Sequence, residues 1–271
     1  MSLISPTGPY DPQLDEEASI KIIGVGGIGS IVARYAAVLL ASFKTEARLV
    51  LIDGDAFEMS NASRMLFGSH GNKATVVRGE LIDQFSDTSL SIVAIEEFVK
   101  PDNIDKLIQE DDIIIMAVDN LATRKIINGH VSKLNSITLV SAGNDGVEPN
   151  EDPPQFGTYG NCQYYVRQNG EDLGPSLTTY HPEIENPTDK LPEESCTEAI
   201  LSSPQLLAAN LMAASAIINT LWLHLCGKMF YAELSFDISA AKMSPWPIPL
   251  KTAPQTVEFG AEMAIEESPD S

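Results

Sequence analysis

The chain is poor in positive charge. Against 38 Asp and Glu it carries only 17 Lys and Arg, a formal net charge of −21 over 271 residues. Binding a phosphate backbone needs clustered Lys and Arg, so this balance argues against a nucleic-acid partner. A neutral or basic protein partner suits it better, and a merely solvated surface accounts for the excess equally well. Cysteine is also scarce: Cys162, Cys196 and Cys226 are too few and too scattered for a disulfide framework. No Cys-x-x-Cys occurs, so no structural zinc is expected. Residues 1–19 hold neither Lys nor Arg and no long apolar run, which speaks against an ordinary secretory signal and makes the cytoplasm the expected compartment. The longest apolar stretch, from Ser203 to Gly227, is interrupted by Gln205, Asn210, Ser215 and Asn219. Those polar residues favour a core helix over a membrane span, and no membrane partner is expected.

What the chain does have is concentrated between Ile20 and Lys73. A short apolar run, Ile20 to Ile23, leads at once into Gly24-Val25-Gly26-Gly27-Ile28-Gly29-Ser30 and then a helical pattern. A strand feeding a glycine turn and a helix is the nucleotide-binding βαβ layout, because glycines let backbone N–H groups and the helix N-terminus approach phosphate. A second apolar run, Leu49 to Ile52, ends in Asp53, where a carboxylate can accept from a ribose hydroxyl. Directly after it come Asp55, Asn61, Arg64 and Lys73. A redox cofactor does not need such a cluster. A nucleoside triphosphate attacked at its α-phosphate does, since negative charge spreads over the phosphates and the leaving diphosphate.

With Val118-Asp119-Asn120 added, this set resembles the ThiF/MoeB/HesA adenylating family, which includes the ubiquitin-activating enzymes. The resemblance covers roughly residues 20–145. It implies a Rossmann-like sheet that binds ATP and magnesium and adenylates the C-terminal carboxylate of a small ubiquitin-like or sulfur-carrier protein. It also implies Gly24, Gly26, Gly27 and Gly29 at the nucleotide, Asp53 on the ribose, Asn61, Arg64 and Lys73 on the phosphates, and Asp119 on magnesium. Asp55 reads either as a magnesium or loop-orienting acid or as turn chemistry. Two departures stand out. Met65 follows Arg64 where relatives often carry Gln, and no Arg precedes Arg34, so a trans arginine from an N-terminal arm, and with it the familiar homodimer geometry, is not assumed.

The rest of the chain reads as one α/β domain. Residues 1–19 form a loose arm and 20–145 the nucleotide half. Helices are expected over Gly27–Phe43 (with Ile28, Ile31, Val32, Tyr35, Val38 and Leu39 inward), Lys73–Phe85, Asn103–Ile108 and Leu121–Leu134. Strands are expected over Arg48–Ile52, Leu90–Ile95, Asp112–Val118 and Ile137–Ala142, the third so apolar that it suits a central parallel strand. Residues 146–195 are acidic and Pro-rich and read as a crossing segment, with Thr158–Arg167 as a strand in a second sheet layer. Residues 196–252 supply a long helix, with Leu207, Leu211, Ala214, Ile218, Leu221, Trp222 and Leu225 on one apolar face, and antiparallel strands including Met229–Ile238. An acidic tail, 253–271, closes the chain. The layout from Tyr180-His181-Pro182-Glu183 through Asn210 to Trp222 also resembles the short ThiF proteins of the PRTRC type.

Outside the nucleotide half the sharpest candidate is Cys196. Ser195-Cys196-Thr197-Glu198 has capping-box form, which puts the thiol at a helix start that favours thiolate. By position it resembles the thioester cysteine of ubiquitin-activating relatives, while Glu193, Glu194 and Glu198 raise its pKa and leave a structural role open. Cys162 and Cys226 read as packing residues, His181 and His70 as loop histidines, Asp145 as a turn acid and Arg124 as a solvated or capping charge. The reading is therefore an ATP- and magnesium-dependent adenylyltransferase with Arg64, Lys73, Asp119 and possible thioester formation at Cys196. A downstream acceptor and a homodimer are possible partners. Its rivals are an NAD-dependent oxidoreductase and a nucleotide-binding scaffold without turnover.

Overall fold

The computed structural model describes residues 8–248 except 17, 44, 59–61, 63, 64, 151, 153 and 193–204. β1 (Ala18–Ile23) runs into the glycine turn and α1 (Gly29–Ala41); β2 (Ala47–Ile52), α2 (Lys73–Ile82), β3 (Leu90–Ile95) and α3 (Ile104–Leu107) follow. β4 (Ile113–Met116), α4 (Leu121–Val131) and β5 (Ile137–Asn144) complete a parallel set in the order β3-β2-β1-β4-β5. The order reverses between β1 and β4, whose register pairs Ile23 with Met116. At such a switch point the two crossovers leave to opposite sides, and a crevice opens beyond the carboxyl ends of the strands. All four residues of β4 are buried, as its unbroken apolar run requires of a strand covered on both faces.

The crossing segment is more ordered than its prolines suggest. After a small hairpin of β6 (Val147–Glu148) and β7 (Gln155–Phe156), β8 (Tyr159–Gln168) pairs antiparallel with β5, Asn144 opposite Gly160 and Ile137 opposite Arg167. It does not found a second layer. β9 (Glu171–Asp172), β10 (Tyr231–Asp237) and β11 (Lys242–Pro247) join the same sheet, giving β11-β10-β8 as an antiparallel extension. The reason is the edge: β5 would otherwise expose a long row of unpaired N–H and C=O groups, and β8 covers it over eight pairs.

The sheet is covered on both faces. α1, α2 and α5 (Leu207–Leu225) pack on one core, and α3, α4 and two 3-10 turns, Leu177–Thr179 and Pro182–Glu185, on the other. α5 is long and apolar enough to cross a membrane, yet half of it is buried against this sheet. Of its expected inward face Ala214, Leu221 and Leu225 are buried; Ala209, Asn210, Ala213 and Ile217 join them, while Leu207 and Leu211 are exposed. α1 deviates the same way, burying Val32, Ala33, Ala36, Ala37 and Leu40 and exposing Tyr35 and Val38. Both helices turn alanines inward, which lets their backbones approach closely. The larger Ile31, Tyr35 and Leu39 of α1 and Leu211, Ile218 and Trp222 of α5 line an outer groove of about 560 Å³. Residues 8–16 are likewise docked rather than loose: Leu14 joins the core, Tyr10 stacks on Trp222 at 5.0 Å, and the Gln13 N–H donates to Leu225 O.

On the interior strand β1 Lys21 is buried beside Asp112, Nζ to Oδ2 2.6 Å, and also donates to Leu107 O at 2.9 Å. Removing one member of such a pair strands the other's charge, at a cost of about 3–5 kcal/mol. Asp112→Ala is therefore expected to lower the denaturant midpoint substantially, whereas replacing both residues with apolar ones is expected to recover most of the loss. Equilibrium urea unfolding of the two variants measures both effects.

Candidate functional site

The crevice at the switch point is a cavity of about 960 Å³, lined by Gly24, Gly26, Gly27, Asp53, Asp55, Lys73 and Asp119 together with residues of the antiparallel extension. Its first wall is the glycine turn. Gly24 has φ +87°, and a Cβ there would lie 2.8 Å from Ala117 O, so no other residue fits. Gly29 does not line the cavity; a Cβ on it would fall 1.8 Å from Gly24 O, which makes it a packing requirement of the turn. Asp53 holds the turn to the second strand, accepting from the Val25 N–H at 2.6 Å and the Asp55 N–H at 2.8 Å. Burial raises its pKa, and Lys73 and those two N–H donors only partly oppose the rise.

Asn72 is a site residue that the sequence reading missed. It caps α2 by accepting from the Ala74 and Thr75 N–H groups, and its Nδ2 donates to Asp53 O at 2.7 Å and Asp55 O at 3.1 Å. One carboxamide thus fixes the start of α2 against the end of β2 and sets Lys73, the first helical residue, at the cavity. The signal was present as an Asn just before a helical pattern. Lys73 Nζ is paired with Asp55 Oδ2 at 2.8 Å. Asp55 is half exposed at that contact, so an incoming phosphate can compete for the ammonium. Asn61, Arg64 and Cys196 lie outside the described residues.

The second half of the cavity corrects two expectations. Arg124 is not a solvated charge. Its Nε donates to Val118 O at 3.0 Å and its Nη2 to Ala142 O at 3.1 Å, which leaves guanidinium donors open to the cavity. Burial lowers its pKa, while Asp119, Glu183 and Asp189 pull the other way, and a guanidinium stays charged throughout. His181 is not a free loop histidine either. Nε2 faces Glu233 Oε2 at 3.0 Å and Nδ1 faces Glu183 Oε1 at 3.0 Å, with the Asn161 carboxamide 2.6 Å from Nε2. Burial favours the neutral ring, but the two carboxylates outweigh it and its pKa is raised. Glu233 belongs to a buried polar row, Ser141-Gln163-Glu233, in register across β5, β8 and β10.

A strap closes this end. Asp189 accepts from the Leu121 and Ala122 N–H groups at 2.7 and 2.8 Å, and Asn120 Nδ2 donates to Lys190 O at 2.7 Å. The crossing segment is thereby latched to the first turn of α4, beside Asp119, and Asp119 itself is exposed. The donor set suits both groups that the reading invokes. The open turn with Lys73 suits a polyphosphate. One exposed carboxylate suits magnesium, which is commonly held by one or two carboxylates together with substrate phosphates. Among the described residues no group of three or more His, Cys, Asp or Glu could hold a metal by itself.

The ThiF family profile matches residues 11–252, nearly the whole described chain. The chain belongs to the ThiF family. Its similarity to HesA (vegetative) of Trichormus variabilis (strain ATCC 29413 / PCC 7937) is 26% identity over 135 residues, 49% of each protein. The adenylyltransferase and sulfurtransferase MOCS3-1 of Zea mays is 30% identical over 138 residues, 49% of this chain and 27% of that one. The chain thus spans half or less of these relatives. Escherichia coli MccB, solved with ATP, superposes with a TM-score of 0.59 at 18% identity, over 86% of this chain and 64% of MccB. That likeness establishes the shared fold.

The His181 cluster carries a pH signature. A histidine with a raised pKa stabilises the folded chain fully below its unfolded value of about 6.5, and the contribution is lost as pH climbs through the folded value. Thermal midpoints measured upward from pH 6 are expected to fall in this range for the native chain. In His181→Asn that component is expected to be absent, and its midpoint lower at pH 6, because Glu233 is left buried without its cation.

Proposed function

We propose that the chain activates the C-terminal carboxylate of a protein by adenylation with ATP. One observation carries the reading: the glycine turn, Lys73, Asp119 and Arg124, drawn from four separate segments, line one cavity. At about 960 Å³ it lies at the upper end of small-molecule sites, which leaves room for a nucleotide and the end of a peptide tail. The triphosphate lies along the turn and the N-terminus of α1, where backbone N–H groups and the helix dipole favour anions. Lys73 exchanges Asp55 for phosphate oxygen. Arg124, already positioned by two carbonyl oxygens, pairs with the incoming carboxylate in the far half of the cavity.

The carboxylate oxygen then attacks the α-phosphorus. A new P–O bond forms, the bond to the bridging oxygen breaks, and diphosphate leaves with the electron pair. Lys73 neutralises charge growing on the leaving group, and Arg124 keeps the nucleophile in line. Magnesium at Asp119 would supply Lewis-acid stabilisation of the phosphates. The strap at Asp189 and Lys190 keeps water from the mixed anhydride.

A small ubiquitin-like or sulfur-carrier protein is the proposed substrate. Support comes from the MOCS3 relatives, named as adenylyltransferases and sulfurtransferases, and from MccB, whose solved complexes include MccA with AMPCPP. The strong negative charge fits a neutral or basic partner of this kind. The activated acyl group passes either to Cys196 as a thioester or directly to an acceptor protein, the acyl–phosphate C–O bond breaking and AMP leaving.

Exchange, nucleotide binding and an adduct gel test the reading. Asp119→Ala is expected to abolish magnesium-dependent ATP–diphosphate exchange without lowering the melting temperature. Lys73→Ala and Arg124→Ala are each expected to slow exchange by about tenfold or more, since a charge-assisted contact contributes roughly 1.5–3 kcal/mol. Exchange at native rates in all three, or binding of NAD in preference to ATP, would overturn the assignment. For Cys196→Ala the readout is a gel of the chain with its protein substrate, with and without reductant. A thioester route predicts that the reductant-sensitive adduct disappears while exchange persists.

A further inference from the structure

Among the described residues at the glycine turn, Asn210 is the one whose side chain the fold leaves unserved. It sits in the first turn of α5 with no exposed surface, and neither atom of its carboxamide has a hydrogen-bond partner among the described residues. Its backbone N–H is satisfied by Leu206 O at 3.1 Å, so the deficit belongs to the side chain alone. Burying an amide without partners is costly, and a leucine of similar size would fill the same space without that cost.

The position of the carboxamide gives the deficit a meaning. A Cβ built on Gly27 would lie 2.4 Å from Asn210 Nδ2 and 3.6 Å from Gln205 Oε1. Gly27 and Gln205 both line the nucleotide cavity. The carboxamide therefore packs directly on the turn that cradles phosphate, in the volume that any side chain at 27 would occupy. The two features depend on each other: glycine at 27 admits Asn210, and Asn210 brings an unused donor to the turn.

Asn210 is buried behind Gly27 and has no surface on the cavity; we propose that it is nonetheless a nucleotide residue, its side chain rotating past Gly27 so that Nδ2 donates to a phosphate oxygen of bound ATP. Phosphate oxygens only accept, so of the two carboxamide atoms the nitrogen makes this bond, and the anionic acceptor strengthens it. The role rests on the adenylation reading and deepens it, since it adds to the ATP site a side chain from the C-terminal half of the chain. It also gives α5 a function beyond covering the sheet.

The test compares the native 271-residue chain with Asn210→Leu and Asn210→Ala, titrated with magnesium-ATP and, separately, with adenosine, and melted without ligand. The leucine variant is expected to melt at or above the native temperature and to bind ATP about tenfold more weakly, with adenosine binding unchanged. Should leucine prevent folding, the smaller alanine carries the same comparison. Native ATP affinity in the variants would overturn the role and leave Asn210 as packing. Parallel loss of ATP and adenosine binding would also overturn it, because the site as a whole would then be disturbed. A native chain that binds adenosine and NAD but not ATP would instead overturn the adenylation reading, and this inference with it.

Discussion

Two backbone amides point at one carboxylate, and the site is built outward from that arrangement. Asp53 receives the Val25 N–H from the glycine turn and the Asp55 N–H from its own strand end. Bonds of this charge-assisted kind contribute roughly 1.5–3 kcal/mol each. They hold the ends of β1 and β2 in one fixed relation. Asn72 extends the relation to α2 through the carbonyls of Asp53 and Asp55, and Lys73 is placed as a result. Burial still dominates the titration of Asp53 and raises its pKa. The two N–H donors stabilise the charge without occupying every lone pair, so the carboxylate keeps capacity for a hydroxyl from the cavity side.

The parallel half of the fold was legible in the sequence because its signals are local. β4 is a short run of Ile and Met that can only be buried, and Asp119 follows it at the sheet edge where ligands enter. The glycine turn, Asp53 and Lys73 were found for the same reason. The helix faces of α1 and α5 were not. Both helices are apolar over most of their circumference, so large residues set the apparent stripe while alanines make the closest contacts. Arg124 and His181 were misread for a different reason. Their partners are distant in sequence: Ala142 for the first, Glu233 for the second. A charged residue on a helix or in a proline-rich loop reads as solvated until the strand it meets is known.

For His181 that strand is β10 of the antiparallel extension, whose β8 also lines the far half of the cavity. β8 enters as the partner that β5 needs along its edge, and it carries Asn161 and Gln163 into the interior. A buried row of Ser, Gln and Glu across three strands is poor as pure packing, since each polar group must be served or left costly. The 3-10 turns serve part of it. Leu177 O accepts from Gln163 Nε2, and His181 pairs with Glu233. The strap continues from those turns to Asp189 and closes on α4. The polar interior of the extension and the covering of the cavity therefore depend on each other: the strap is anchored at one end by His181 and at the other by Asp189.

The four glycines of the turn meet four different constraints, and only one of them points outward. At Gly24 the left-handed backbone and Ala117 O exclude a side chain; at Gly29 it is Gly24 O; at Gly27 it is the carboxamide of Asn210. The first two are requirements of the protein itself, and a chain that bound nothing would still need them, whereas the third follows from the choice of Asn210. Gly26 differs. A Cβ there would meet only Met65 Cε, at an ordinary 3.5 Å, and its backbone needs no positive φ. Nothing within the described chain demands glycine at 26, while glycine lowers the stability of any ordered backbone by enlarging the entropy of the unfolded state. The residue lines the cavity, so the space left open by its missing side chain lies on the ligand side. Of the whole motif, Gly26 is the position whose identity is explained by what enters the site rather than by how the chain folds around it.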